Sequence, residues 1–164
     1  MVRATHGVHE GSYYWEAEVL PSLGDDAHVR IGWSTREGEL QAPVGYDQHS
    51  YAYRDIAGSM VHKSTRIDEY GEAYGVGDVI GCHLIISSDL AQNKMSFFKN
   101  GRDQGMAYSA DDIPFGVYFP ALSLYKQAVV RVNFGPSFII KPDIMMPFLP
   151  VSELQPLNPQ DRKV

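Results

Sequence analysis

The chain has 164 residues, 44% of them hydrophobic, with 14 Lys and Arg against 20 Asp and Glu and a net charge of -6. That length suits one domain around one core, and the acidic balance, with no basic run longer than the closing "DRKV", disfavours electrostatic capture of nucleic acid or acidic membrane. No stretch reaches the roughly 18 to 20 apolar residues of a membrane span, the first residues lack a signal-peptide pattern, and a single Cys82 excludes an internal disulfide, so a soluble, unsecreted chain in a reducing compartment is expected.

Along the chain, segments of period two recur and amphipathic helical windows are nearly absent. "YYWEAEVL" puts Tyr13, Trp15, Ala17 and Val19 on one face and Tyr14, Glu16 and Glu18 on the other, the pattern of a half-buried strand. "HVRIGW" repeats it with Val29, Ile31 and Trp33, and "SYAYR" with Tyr51 and Tyr53 against Ser50, Ala52 and Arg54. "VIGCHLII" is apolar on both faces apart from His83, as in a central strand, and "FGVYFPALSLY" and "AVVRVNF" add two more. Between two such segments, Asn100-Gly101 supplies the positive-φ pair of a tight hairpin turn. Many short strands with Gly and Pro punctuation predict an all-β, antiparallel β-sandwich. From residue 141 the prolines at 142, 147, 150, 156 and 159 break every helix, so residues 141–164 read as a tail, partly ordered at "IMMPFL" and disordered beyond.

Enzyme signatures are weak. Of six histidines only His6 and His9 are close, and "HGVH" lacks a third ligand at metal-site spacing, so neither metal nor cofactor is expected. No G-x-S-x-G elbow is present, and Cys82 in an apolar strand is a poor nucleophile. The glycines of "YGEAYGVGDVIG" precede a strand where a phosphate loop needs a helix. Asp25-Asp26 and Asp111-Asp112 read as solvated loop charges.

Two arginines stand out instead. With Val29, Ile31 and Trp33 inward, Arg30 faces outward, and inward Tyr51 and Tyr53 turn Arg54 outward as well. Between them, "LQAPVGYD" carries Pro43 and Gly45, which stiffen and bend a loop presenting Tyr46. Two planar, forked donors beside such a platform suit an extended peptide bearing carboxylates or a phosphate. The competing arrangement pairs Arg30 with a neighbouring Glu and Arg54 with Asp55 or Asp47.

"GSYYWEAEV", "RIGWS", "YGVGDVIGC", "MSFFKNG" and "VYFPALSLY" together resemble the SPRY domain. The resemblance implies a bent, concanavalin-like jelly-roll sandwich over residues 1–140 that works as a protein-interaction module. More narrowly, "MVRATHGV", "GELQAPVGYDQHSYAYR" and "VNFGPSF" resemble the SPRY domain of the trithorax-group absent, small or homeotic discs two family, core subunits of nuclear complexes that methylate lysine 4 of histone 3. By that resemblance the domain is non-catalytic, binds an acidic, sometimes phosphorylated, segment of a WD-repeat subunit, and helps stimulate a SET-domain methyltransferase. The family's basic pocket falls on Arg30, Pro43, Tyr46 and Arg54.

The resemblance is incomplete in three places. Family members carry further strand-forming sequence ahead of "MVRA", so an unpaired sheet edge is expected here. Several relatives carry a long acidic insertion before the "FFKNG" hairpin where this chain has only "SSDLAQNK". The Pro-rich tail shows no amphipathic helix for the family's small dimeric helical subunit, and no zinc-finger or winged-helix region offers a basis for DNA binding. Two other functions fit a sandwich with aromatic loops: a SPRY substrate adaptor of a ubiquitin ligase, and a carbohydrate-binding domain.

Overall fold

A computed structural model describes residues 1–154. Twelve strands run in chain order: β1 (Val2–Arg3), β2 (Gly11–Leu20), β3 (His28–Ser34), β4 (Ser50–Arg54), β5 (Met60–His62), β6 (Thr65–Ile67), β7 (Val79–Ile86), β8 (Lys94–Lys99), β9 (Arg102–Tyr108), β10 (Phe119–Tyr125), β11 (Val129–Asn133) and β12 (Leu149–Pro150). No α-helix occurs among the described residues, and the all-β sandwich expected from the alternation is what forms.

The first sheet has the order β1-β10-β3-β4-β5-β6, and the second β11-β2-β7-β8-β9. Every neighbouring pair within these orders is antiparallel; β12 alone adds to β2 in parallel, Leu149 opposite Tyr13. The core lies between the sheets, where the predicted inward residues Trp15, Ala17, Ile31, Trp33, Tyr51 and Tyr53 meet in one cluster. Trp15 from one sheet and Trp33 from the other make an edge-to-face contact, 6.3 Å between centroids at 90°, a geometry favoured by the ring quadrupoles. "VIGCHLII" is the central strand β7, flanked by β2 and β8. Asn100 (φ 51°) and Gly101 (φ 80°) make the β8–β9 turn as expected.

The outer face of β2 departs from the half-buried expectation. Tyr14 and Glu16 are fully buried, because the chain beyond Asn133 folds back over the second sheet. Phe138 and Phe148 pack on the Tyr14 ring at 4.9 and 5.4 Å. The Asn133 side-chain amide donates to Glu16 Oε1 at 2.7 Å, and the Ile139 amide donates to the same oxygen. This strap ends with Val151 in the core and Leu154 packed against it. Of the stretch beyond "IMMPFL" expected to be disordered, residues 150–154 are ordered, with Pro150 opposite Tyr14 and Val151 in the core, while residues 155–164 lie outside the described residues.

Candidate functional site

Arg30 on β3 and Arg54 on β4 are direct cross-strand partners, with Ser123 of β10 on the other side of Arg30. Their strand neighbours Ile31 and Tyr53 are completely buried, so the pleat turns both guanidinium groups to the outer face of the first sheet. The next row on that face is Ala121, Gly32, Ala52 and Val61. These small side chains leave a trough.

The loop after β3 fills that trough. Val44, completely buried, packs on Ala52, Val61 and Ala121. Its amide donates to Ser123 Oγ at 2.7 Å, and its carbonyl accepts from Arg30 Nη1 at 3.2 Å. The Gly45 amide donates to Ser50 Oγ, and the Tyr46 amide closes a turn onto the Pro43 carbonyl at 3.1 Å. Gly45 holds the positive φ (89°) that the third position of a type II turn demands. A Cβ there would lie 2.4 Å from the Val61 carbonyl, so the turn rests directly on β5. Asp47 pins the other end, accepting from the Glu39 and His49 amides at 2.8 and 2.9 Å.

That arrangement removes the competing pairings. Asp47 is engaged within the loop, and Asp55 is engaged by the Ile56 amide and by His28 Nδ1, each at 2.9 Å. Among the described residues no carboxylate lies within 4.0 Å of the charged groups of Arg30 or Arg54. Like charges placed opposite one another across a sheet repel. Burial, and then the charge of Arg54, pull the Arg30 guanidinium below the usual arginine pKa, although it stays cationic at any physiological pH. An anion bridging the two heads would relieve that repulsion.

Beside the pair opens a cleft of about 850 Å³, walled by Pro43, Leu122, Leu124 and Tyr125 as well as Arg30 and Arg54. Tyr46 is not part of its lining. It stands 55% exposed, next to the β5–β6 hairpin, where Ser64 Oγ donates to its carbonyl at 2.6 Å. Three of the four sequence-derived residues therefore converge on one cleft and the fourth flanks it. Sequence reasoning missed the far wall on β10, which comes from 68 or more residues beyond Arg54; the alternation of "ALSLY" marks a strand but not its neighbour. Asp26, read as a solvated loop charge, is indeed exposed, and it also makes surface ion pairs: His28 bridges Asp26 and Asp55, and Lys126 pairs with Asp26 at 2.6 Å.

A family model described as the SPRY domain matches residues 12–137. The chain belongs to the SPRY family. This SPRY domain is 34% identical, over 84% of its length, to the Set1/Ash2 histone methyltransferase complex subunit ASH2 of Drosophila melanogaster, of which it covers 31%. It is 30% identical, again over 84%, to the Set1/Ash2 histone methyltransferase complex subunit ash-2 of Caenorhabditis elegans, covering 32% of that protein. A relative of another kind is the ATP-dependent RNA helicase Ddx1 of Drosophila melanogaster, 37% identical over 81% of this chain and covered for 17%. The chain thus spans a third or less of these proteins. Because the chain is similar to such different proteins, function has to be argued from the site. No helix among the described residues is long and apolar enough to cross a membrane.

Proposed function

We propose that this SPRY domain is a non-catalytic interaction module of a nuclear histone lysine-4 methyltransferase complex. It holds an acidic or phosphorylated segment of the WD-repeat subunit and so helps stimulate the SET-domain methyltransferase. The carrying observation is the directly opposed Arg30 and Arg54, without a carboxylate partner among the described residues, at the mouth of a cleft floored by apolar side chains. Paired guanidinium forks accept carboxylate or phosphate bidentately. Pro43 and the β10 residues supply apolar contact, and Tyr46 adds an exposed ring beside the cleft. Each charged hydrogen bond contributes roughly 1.5 to 3 kcal/mol, less where salt screens it, so the affinity is modest and the apolar wall matters.

Calorimetric titration of a glutamate-rich peptide against the wild type and Arg54→Ala tests this reading. Loss of one charge-assisted contact weakens binding about 10-fold or more, and raising salt weakens the wild type further. Equal affinities for the two proteins would remove the pocket. A pull-down from nuclear extract that recovers ubiquitin-ligase subunits in place of methyltransferase subunits, or specific hits on a glycan array, would redirect the assignment to the ligase adaptor or the carbohydrate-binding domain.

A further inference from the structure

The arginine pair is not the end of the positive surface. Strand β6 lies two strands beyond β4, and its Arg66 is opposite Val61, which is opposite Ala52. Arg66 therefore shares the outer face with Arg30 and Arg54. Its side chain is aimed by Asp68, which accepts from Arg66 Nε at 3.0 Å and from Ser59 Oγ at 2.7 Å. Ser59 is in turn tied to Arg54, whose amide donates to the Ser59 carbonyl at 2.8 Å. Arg66 is thus steered from its own row toward the row of Arg30 and Arg54. Only its Nε is engaged by Asp68, which leaves the outer edge of the guanidinium to solvent. The charge of Arg66 also reaches Arg30, adding to the effects of burial and of Arg54 in lowering its proton affinity.

Resting on the pocket reading above, we propose that the anion-binding surface continues across the sheet to Arg66, so that an acidic peptide crosses β3, β4 and β6 and gives Arg66 a third carboxylate. The direction follows from charge. At the His28 end of the cleft the acids Asp55 and Asp26 already take up His28 and Lys126, whereas toward β6 Arg66 shares only its Nε with Asp68 and offers its remaining donors to an acidic run. Strand spacing puts the Arg54 and Arg66 backbones about 12 Å apart, the reach of three to four residues of extended peptide. Tyr46, fastened beside Ser64 two residues before Arg66, marks that end of the surface.

The test compares two synthetic peptides by calorimetry, one with a single pair of glutamates and one with a further glutamate four residues on. The wild type should bind the longer acidic pattern about 5-fold more tightly; Arg66→Ala should bind both alike, with a shallower salt dependence. Arg66 is half exposed on an edge strand, so this variant leaves the fold intact. Absence of the gain in the wild type, or its persistence in Arg66→Ala, overturns the extension. If Arg54→Ala weakens both peptides while Arg66→Ala changes neither, the extension falls and the pocket stands; if Arg54→Ala also changes neither, the pocket falls.

Discussion

The Val44 amide and the Ser123 hydroxyl, 79 residues apart in the chain, are joined by a hydrogen bond of 2.7 Å. That bond fixes the loop whose next atom, the Val44 carbonyl, accepts from Arg30. Ser123 itself sits opposite Arg30 in the ladder, so loop, strand and arginine form one unit. Ser123→Ala leaves the amide without its partner and should lower stability by about 1 kcal/mol. Because it loosens the acceptor that steadies Arg30, it should also weaken an acidic peptide two- to three-fold. Denaturant unfolding and calorimetry on the same variant check both effects; an unchanged affinity would mean that the loop does not position Arg30.

Gly45→Ala separates backbone strain from collision. At φ 89° an alanine is strained, and its Cβ would also meet the Val61 carbonyl at 2.4 Å. Gly77 has nearly the same φ, 90°, with nothing within 4 Å of its would-be Cβ. Strain alone costs of order 1 to 3 kcal/mol. Gly45→Ala should therefore destabilise by at least about 1 kcal/mol more than Gly77→Ala, and only the former should reduce peptide binding. Thermal melts of the two variants side by side decide it.

Much of this was legible in the sequence because it depends on local rules. The inward faces of β2, β3 and β4 follow from alternation alone, the Asn100-Gly101 turn from the φ it requires, and the shared outward parity of Arg30 and Arg54 from their buried neighbours. What escaped depends on long-range pairing. Lys63-Ser64 and Lys126-Gln127 make tight turns with four positive-φ residues, none of them Gly or Asn, so tertiary packing overrides turn chemistry there. The burial of Tyr14 and Glu16 required knowing that the segment after Asn133 returns across β2, which the prolines of that segment concealed by suggesting a loose tail. Arg66 was not singled out because "TRI" is too short and exposed to display a face of its own.

Two histidines shape the pH dependence of stability in opposite ways. Burial drives His83 down to about 4, and Ser12 Oγ meets its Nε2 at 2.8 Å. Between its ordinary value near 6.5 and about 4, the unfolded chain binds a proton that the folded chain refuses, so stability falls as the pH drops through that window, by about 3 kcal/mol in all. His28 behaves inversely, because the hydrogen bond it donates to Asp55, opposed by burial and supported by Asp26, raises its pKa. Its contribution is complete below the ordinary histidine value and is lost as the pH rises through the raised one. Urea unfolding of His83→Gln across pH 4 to 7 should show a flattened acid limb, and His28→Gln across pH 6 to 9 a flattened alkaline limb. An unaltered profile in either variant would contradict the corresponding assignment.

Glu16 is the anchor of the strap. A carboxylate with no exposure is held by the Asn133 amide and the Ile139 N–H, with Tyr14, Phe138 and Phe148 packed alongside. Two hydrogen bonds to one buried acceptor oxygen fix where the backbone after Asn133 starts back across β2, and the β12–β2 pairing fixes where it finishes. Glu16→Ala leaves the Ile139 amide without its acceptor and the Asn133 amide with the Ser137 carbonyl alone, and should cost on the order of 2 to 3 kcal/mol. Phe148→Ala removes packing while keeping that anchor, and since Phe148 is only partly buried it should cost less than the 3 to 5 kcal/mol of a fully buried phenylalanine. The two differ in what they release. Met145 and Met146 already project into solvent, so limited proteolysis should cut near them faster in Glu16→Ala, and the cut should leave acidic-peptide binding on the opposite sheet unchanged. Equal protease resistance in wild type and Glu16→Ala would show that the aromatic contacts and the β12–β2 pairing, not Glu16, hold the strap down.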